Sequence, residues 1–240
     1  MNIEEYKTKG HTTVPGVFTP AEMDAAIEDI GRWGEEFLRE LPAEQRRWYV
    51  DGGVKAREVL RKLDNPHHYR ESMRRLACDT RLVSLVESVI GSGVSVYFSQ
   101  IFFKAPEGGG PKPPHQDNFY FGPRDPEALV TAWVAFDDAT VENGCMYFGE
   151  GSHRRPVIPH FSPADEPFNL QVSPESATQL MPAPVPKGGV SFHHGGVLHQ
   201  SGANHSTRWR RACALHYVRN DNAFVKPALP YDAGLFLRVT

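Results

Sequence analysis

The sequence predicts a mainly β protein, a sandwich of sheets flanked by helices at its N-terminal end. Three observations lead there. Up to about residue 92, apolar residues recur at helical spacing behind helix-start signals. From Val94 onward the texture changes to short apolar and aromatic runs punctuated by turn residues. The chain carries 20 Pro and 21 Gly in 240 residues, a length that sandwiches and barrels fill as one domain. Residues 1–240 are therefore expected to form a single domain, helical over about 1–92 and strand-rich over about 93–220.

Taken in order, Thr12-Thr13-Val14 reads as a short extended lead-in. Thr19-Pro20-Ala21-Glu22 is a capping box with Pro at the first helical position. Met23, Ala26, Ile27, Ile30, Trp33, Phe37 and Leu41 then form one buried stripe. A second helix starts at Asp79 as cap, buries Leu82, Val83, Val86, Val89 and Ile90, and stops at Gly91. The clearest strands are Val94–Lys104, Val130–Asp137, Cys145–Phe148, Val190–His194 and Ala212–Val218. Residues 155–187, rich in Pro and Ser, read as a long insertion, either a lid or binding loop or a solvated excursion.

Composition narrows the class. A hydrophobic fraction of 40% with 23% charged residues is that of a globular chain, neither disordered nor fibrous. A net charge of −3 gives no basic footprint for nucleic acid. Cys78, Cys145 and Cys213 cannot all pair and have no metal-binding spacing, so they read as small buried thiols of a reducing compartment. Met1-Asn2-Ile3-Glu4-Glu5 is acidic where a signal peptide would be basic, and no run approaches the roughly 18 apolar residues of a membrane span. The expectation is a soluble cytoplasmic protein without a membrane or nucleic-acid partner, a monomer or small homo-oligomer acting on a small molecule.

The motif richest in chemistry is His115-Gln116-Asp117. On a strand, residues two apart share a face, so an imidazole and a carboxylate are offered side by side to one ion. One further imidazole completes a 2-His-1-carboxylate facial triad, which leaves three positions for a co-substrate and dioxygen. His199 is the candidate, within a cluster that also holds His193, His194, His205 and His216.

With these residues laid out, the chain resembles the phytanoyl-CoA dioxygenase family of iron(II)- and 2-oxoglutarate-dependent oxygenases. The resemblance runs from Gly16-Val17-Phe18-Thr19-Pro20 to about Arg219. It is carried by Pro114-His115-Gln116-Asp117, Thr131-Ala132-Trp133, Asp137-Asp138-Ala139-Thr140, Glu142-Asn143-Gly144-Cys145, Gly151-Ser152-His153 and His199-Gln200-Ser201-Gly202, with Asn204, Ser206 and Arg210. It implies a double-stranded β-helix, or jelly roll, with Fe(II) held by His115, Asp117 and His199 as the catalytic centre. It also implies 2-oxoglutarate bound to the metal, its far carboxylate on Arg210, and dioxygen as the oxidant. His199 is preferred in its cluster because it stands at the family's separation from Arg210. Asp117, where related halogenases lack the carboxylate, favours hydroxylation.

Several roles keep an ordinary reading beside them. Arg210 can grip a carboxylate with its planar fork, whereas Arg208-Trp209-Arg210-Arg211 as a run reads equally as a solvated face; on a strand, alternation separates Arg210 from its neighbours. Ser201 and Trp133 resemble further 2-oxoglutarate contacts, although a strand Trp is usually core. Gln100 and Lys104 share a face with Phe98 and Phe102, and either reach the co-substrate or face water. Phe102, Phe119, Tyr120 and His194 are candidates for the substrate wall, with core packing as the alternative. His153 reads as structural.

The expected reaction is hydroxylation of an unactivated C–H bond with release of succinate and CO2. Same-family desaturation, epoxidation or cyclisation is the alternative. A non-redox metal-binding jelly roll would explain the histidines but not Arg210. Nothing marks a coenzyme A site beyond scattered basic residues such as Lys112, Arg154 and Arg155.

Overall fold

The computed structural model describes residues 1–54, 57–164, 169–177, 179–225, 227–228 and 232–240. Its helices are α1 (Ile3–Lys9), α2 (Pro20–Glu40), α3 (Arg46–Tyr49), α4 (Pro66–Tyr69), α5 (Glu71–Ala77), α6 (Thr80–Ile90) and α7 (Asp117–Phe121). Its strands are β1 (His11–Val14), β2 (Val50–Val54), β3 (Arg57–Leu60), β4 (Lys62–Asp64), β5 (Val94–Lys104), β6 (Lys112–His115) and β7 (Leu129–Ala135). They continue with β8 (Met146–Phe148), β9 (Met181–Ala183), β10 (Val190–His194), β11 (His199–Ser201), β12 (Arg210–Arg219) and β13 (Leu237–Arg238).

The strands form a double-stranded β-helix of two principal antiparallel sheets. The major sheet has seven strands in the order β1-β10-β7-β12-β5-β13, with β4 also paired to β5; the minor sheet runs β6-β11-β8-β9. Non-consecutive neighbours in both sheets are the mark of the jelly-roll winding.

Period-two alternation decides what the major sheet does. On β7, Val130, Ala132 and Val134 face the helices while Thr131 and Trp133 face the opposite way, into a cavity between the sheets. β12 repeats the pattern, with Cys213, Leu215 and Tyr217 towards the helices and Ala214 and His216 towards the cavity. The helix-facing side packs against Met23 and Ile30 of α2 and Leu82, Val83 and Val86 of α6. Both faces of these strands are therefore buried, one in an apolar core and one against the cavity between the sheets.

The two helix-start signals behave as their chemistry requires. Thr19 and Glu22 close the capping box at α2, and Asp79 caps α6 by accepting the Arg81 backbone N–H. The N-terminal part is not wholly helical: Val50–Val54 and Arg57–Leu60 pair as antiparallel β2 and β3, and Lys62–Asp64 adds a strand to β5. Val and Leu placed at short intervals beside a Gly pair suit paired strands better than a helix. Cys78 is exposed, contrary to the expectation of three buried thiols, while Cys145 and Cys213 are buried. Residues 165–168 and 178 of the expected insertion lie outside the described residues. Around them, β9 pairs with β8, and Ser162, Asn169 and Leu170 line the cavity between the sheets.

Candidate functional site

That cavity has a volume of about 950 Å³ and takes walls from both sheets. His115 ends β6, His199 begins β11, and the two stand directly opposite each other in the antiparallel pair. Each ring is oriented by its own chain: His115 Nδ1 donates to the Pro113 carbonyl at 2.8 Å and His199 Nδ1 to the Val197 carbonyl at 3.0 Å. A ring nitrogen facing a carbonyl carries the proton, so each Nε2 keeps its lone pair.

Asp117 is not on the strand with His115. It opens α7, and Gln116 makes the strand-to-helix corner. The corner is fixed by three bonds. The Gln116 side chain donates to the Gly196 carbonyl at 2.7 Å and accepts the Ile158 N–H at 2.9 Å, and its backbone N–H meets His160 Nε2 at 2.9 Å. The turn brings Asp117 Oδ1 to 3.7 Å from the Nε2 of both His115 and His199. Among the described residues these three form the one group whose ligand atoms all lie within 4.8 Å of each other, and all three are buried.

The protonation states suit a cation. Burial pushes His115 well below the usual imidazole range and His199 down to about 4, so both are neutral at neutral pH. Burial by itself would raise Asp117, but the imidazoles around it outweigh that and hold its carboxyl well below the usual range. Two neutral imidazoles and an ionised carboxylate, with their lone pairs converging, fit a divalent metal of the type that takes nitrogen and oxygen ligands.

A second feature is the basic end of the cavity. Arg210, at the start of β12, is 2% exposed, and burial pushes it down to about 9. Its guanidinium lies 5.4 Å from the centroid of the Trp133 ring, and its Nε is buried with no hydrogen-bond partner among the described residues. No carboxylate pairs with it among the described residues; the nearby Asp137 is bound by Arg211 at 2.7 and 2.9 Å. Lys104, its cross-strand partner on β5, is also buried and held well below its usual range by burial and by Arg210. Lys104 Nζ donates to the Gly110 carbonyl. Gly144, at φ 88°, takes a left-handed turn beside this end, where a side chain would meet Gly202 and Lys104. Buried cations without a counter-ion are costly, so this end is shaped for an anion.

The remaining expected residues fall as follows. Ser201, Trp133, Gln100, Phe102, Phe119 and Tyr120 line the same cavity. Gln100 donates to Asp64 Oδ1 at 2.7 Å, so its amide is engaged with the wall. His194 does not line the cavity, which corrects the expectation for it. Strand alternation turns His193 inward and His194 to the other face, where its Nε2 meets Glu127 Oε1 at 3.1 Å. His153 lies on that outer side too, with its Nε2 towards the Lys7 carbonyl.

Sequence reasoning named Thr131 and His216 but gave neither a role in the site. Thr131 Oγ1 donates to Asp117 Oδ2 at 2.7 Å and lies 2.8 Å from His216 Nδ1. The available signal was a Thr in register with Trp133 inside an otherwise apolar run. Trp48, Tyr49 and Lys62 also reach the cavity from the overlooked region of β2 and β3.

Comparison with known proteins agrees with this geometry. The family model described as phytanoyl-CoA dioxygenase (PhyH) matches residues 6–212. A probable alpha-ketoglutarate-dependent hypophosphite dioxygenase from Stutzerimonas stutzeri is 28% identical over 225 residues, covering 90% of this chain and 77% of that one. Phytanoyl-CoA dioxygenase domain-containing protein 1 from Mus musculus is 33% identical over 158 residues, 63% of this chain and 54% of its own length. Among solved structures, the epimerase SnoN in complex with Fe3+, alpha ketoglutarate and nogalamycin RO superposes with a TM-score of 0.74 at 26% identity, covering 97% of this chain and 87% of that one.

Proposed function

The chain belongs to the phytanoyl-CoA dioxygenase family, and on that premise we propose that it is an iron(II)- and 2-oxoglutarate-dependent dioxygenase that hydroxylates an unactivated C–H bond of a small-molecule metabolite. One observation carries the reading: a buried triad of neutral imidazoles and carboxylate shares its cavity with a buried guanidinium that has no carboxylate partner among the described residues. A metal-binding module without redox chemistry needs the first feature and gives no reason for the second.

His115, Asp117 and His199 would hold the iron. Bound there with 2-oxoglutarate and dioxygen, iron supplies an oxidising chemistry that releases succinate and CO2 and converts a substrate C–H into C–OH. Arg210 would take the far carboxylate of the keto acid, a task its planar fork suits, with the Trp133 ring against the guanidinium and Ser201 lining the same cavity. Lys104, cross-strand from Arg210, lines the same end. Phe102, Phe119 and Tyr120 exclude water from the space above the triad and present an apolar surface to the substrate.

The epimerase among the similar structures shows the same fold serving another outcome. Desaturation, epoxidation, cyclisation or epimerisation at this site is the second reading; the mass of the product separates all of these but epoxidation from hydroxylation, and NMR of the product separates epoxide from alcohol. The test is a screen of candidate metabolites for succinate release above the background without substrate, followed by mass analysis. Gain of one oxygen atom as a new hydroxyl group supports hydroxylation, and its gain as an epoxide supports the second reading. An unchanged mass, or loss of two hydrogens, supports the second reading, and absence of any metal-dependent succinate release overturns both.

A further inference from the structure

We propose that Thr131 and His193 clamp the outer oxygen of Asp117, fixing this carboxylate as a one-oxygen ligand and keeping a metal position open for the co-substrates. The inference rests on the assignment of His115, Asp117 and His199 as the iron site.

The two oxygens of Asp117 face different surroundings. Oδ1 stands 3.7 Å from both ligand imidazoles. Oδ2 points the other way, to the inner face of the major sheet, where it accepts from Thr131 Oγ1 at 2.7 Å and from His193 Nε2 at 3.3 Å. A carboxylate that bound through both oxygens would occupy a position the facial triad leaves free. Two donors on Oδ2 oppose that swing.

The sheet builds the clamp as a single row. His193 on β10, Thr131 on β7 and His216 on β12 are direct cross-strand partners, and Phe98 on β5 continues the row. A threonine hydroxyl has one proton. With that proton given to Oδ2, its lone pair receives Nδ1–H of His216 at 2.8 Å, so the chain of donors runs His216 to Thr131 to Asp117. Thr131 is β-branched and buried, which restricts its rotation.

His193 gives an independent indication. Among the described residues its Nδ1 is buried without a partner, a cost that an apolar side chain of similar size would avoid. Packing therefore does not account for an imidazole at this position, whereas donation from Nε2 to Oδ2 does. His193 and Thr131 are positioning residues, acting on the metal through Asp117.

Titration of the full chain with Co(II), followed by its visible absorption, tests the clamp without turnover. Thr131→Val and His193→Leu should bind Co(II) about 10- to 100-fold more weakly than the parent and shift the absorption bands. Thr131→Ser and His193→Gln, which retain a donor, should stay near the parent. Parental affinity and spectrum in both Thr131→Val and His193→Leu would overturn the clamp while leaving the metal site standing. So would loss of binding in His193→Leu as complete as in His199→Ala, since His193 would then be a ligand. A parent that binds no Co(II) would overturn the metal site itself. Should Thr131→Val fail to fold by near-ultraviolet circular dichroism, the His193→Leu and His193→Gln pair decides.

Discussion

Arg210 separates this protein from a generic metal-binding sandwich. A guanidinium forms two parallel bonds to a carboxylate that a lysine ammonium cannot match. Replacing it by Arg210→Lys should therefore raise KM for 2-oxoglutarate by about 10- to 100-fold, the equivalent of the roughly 1.5–3 kcal/mol of a hydrogen bond to a charged group. KM for the prime substrate should move little; steady-state kinetics with each substrate varied in turn gives the check. At the triad, His115→Ala, Asp117→Ala or His199→Ala each removes a buried ligand and should abolish 2-oxoglutarate decarboxylation. Any of the three retaining near-parental succinate release would exclude that residue as a ligand. These residues were legible in the sequence because their types are scarce in buried positions and their order is distinctive. Thr131 was less so, since its hydroxyl acquires meaning only when Asp117 lands beside it.

At the scale of elements, the strands buried on both faces could be read from composition, and β5 and β10 have the bounds their apolar runs suggest. The corner at Gln116 could not. Asp117 leaves the strand because Gly195-Gly196 and Ile158, distant in sequence, supply the partners that bend the chain there. The β2–β3 pair escaped for a related reason: its pairing to a neighbour and the path of β4 onto β5 are tertiary events. Helix starts are local and were readable. The α2 cap is tied to α6 by Arg81, which bonds both Glu22 and Asp79. Hydrogen bonds from Arg81 and from Thr19 push Glu22 down to about 2. Its folded pKa is depressed, so its contribution is present above the ordinary carboxylate range and lost as pH falls towards 2. Thr19→Ala should lower stability by about 1 kcal/mol, readable as a shift in the urea midpoint at unchanged slope.

For the whole molecule, the core of imidazoles sets the acid limit. Burial pushes His11, His199 and His216 each down to about 4. Their folded pKa lies below that of the unfolded chain, so the unfolded state binds protons first as pH falls. Stability of the metal-free protein should be full above the ordinary histidine range and fall between there and about pH 4. Urea unfolding across that range tests this, and a flat profile would contradict it. Metal should move the decline to lower pH, because a ligand that binds only the folded state adds to its stability.

The convergence of the β6–β11 pair and the first residue of α7 on one candidate metal site yields the most direct measurement. Anaerobic equilibrium titration with Fe(II), in the parent and in His199→Ala, should show one iron per chain in the parent. In His199→Ala, whose strand comes from the far part of the sequence, that binding should be lost. Equal iron binding by the two proteins would contradict the account.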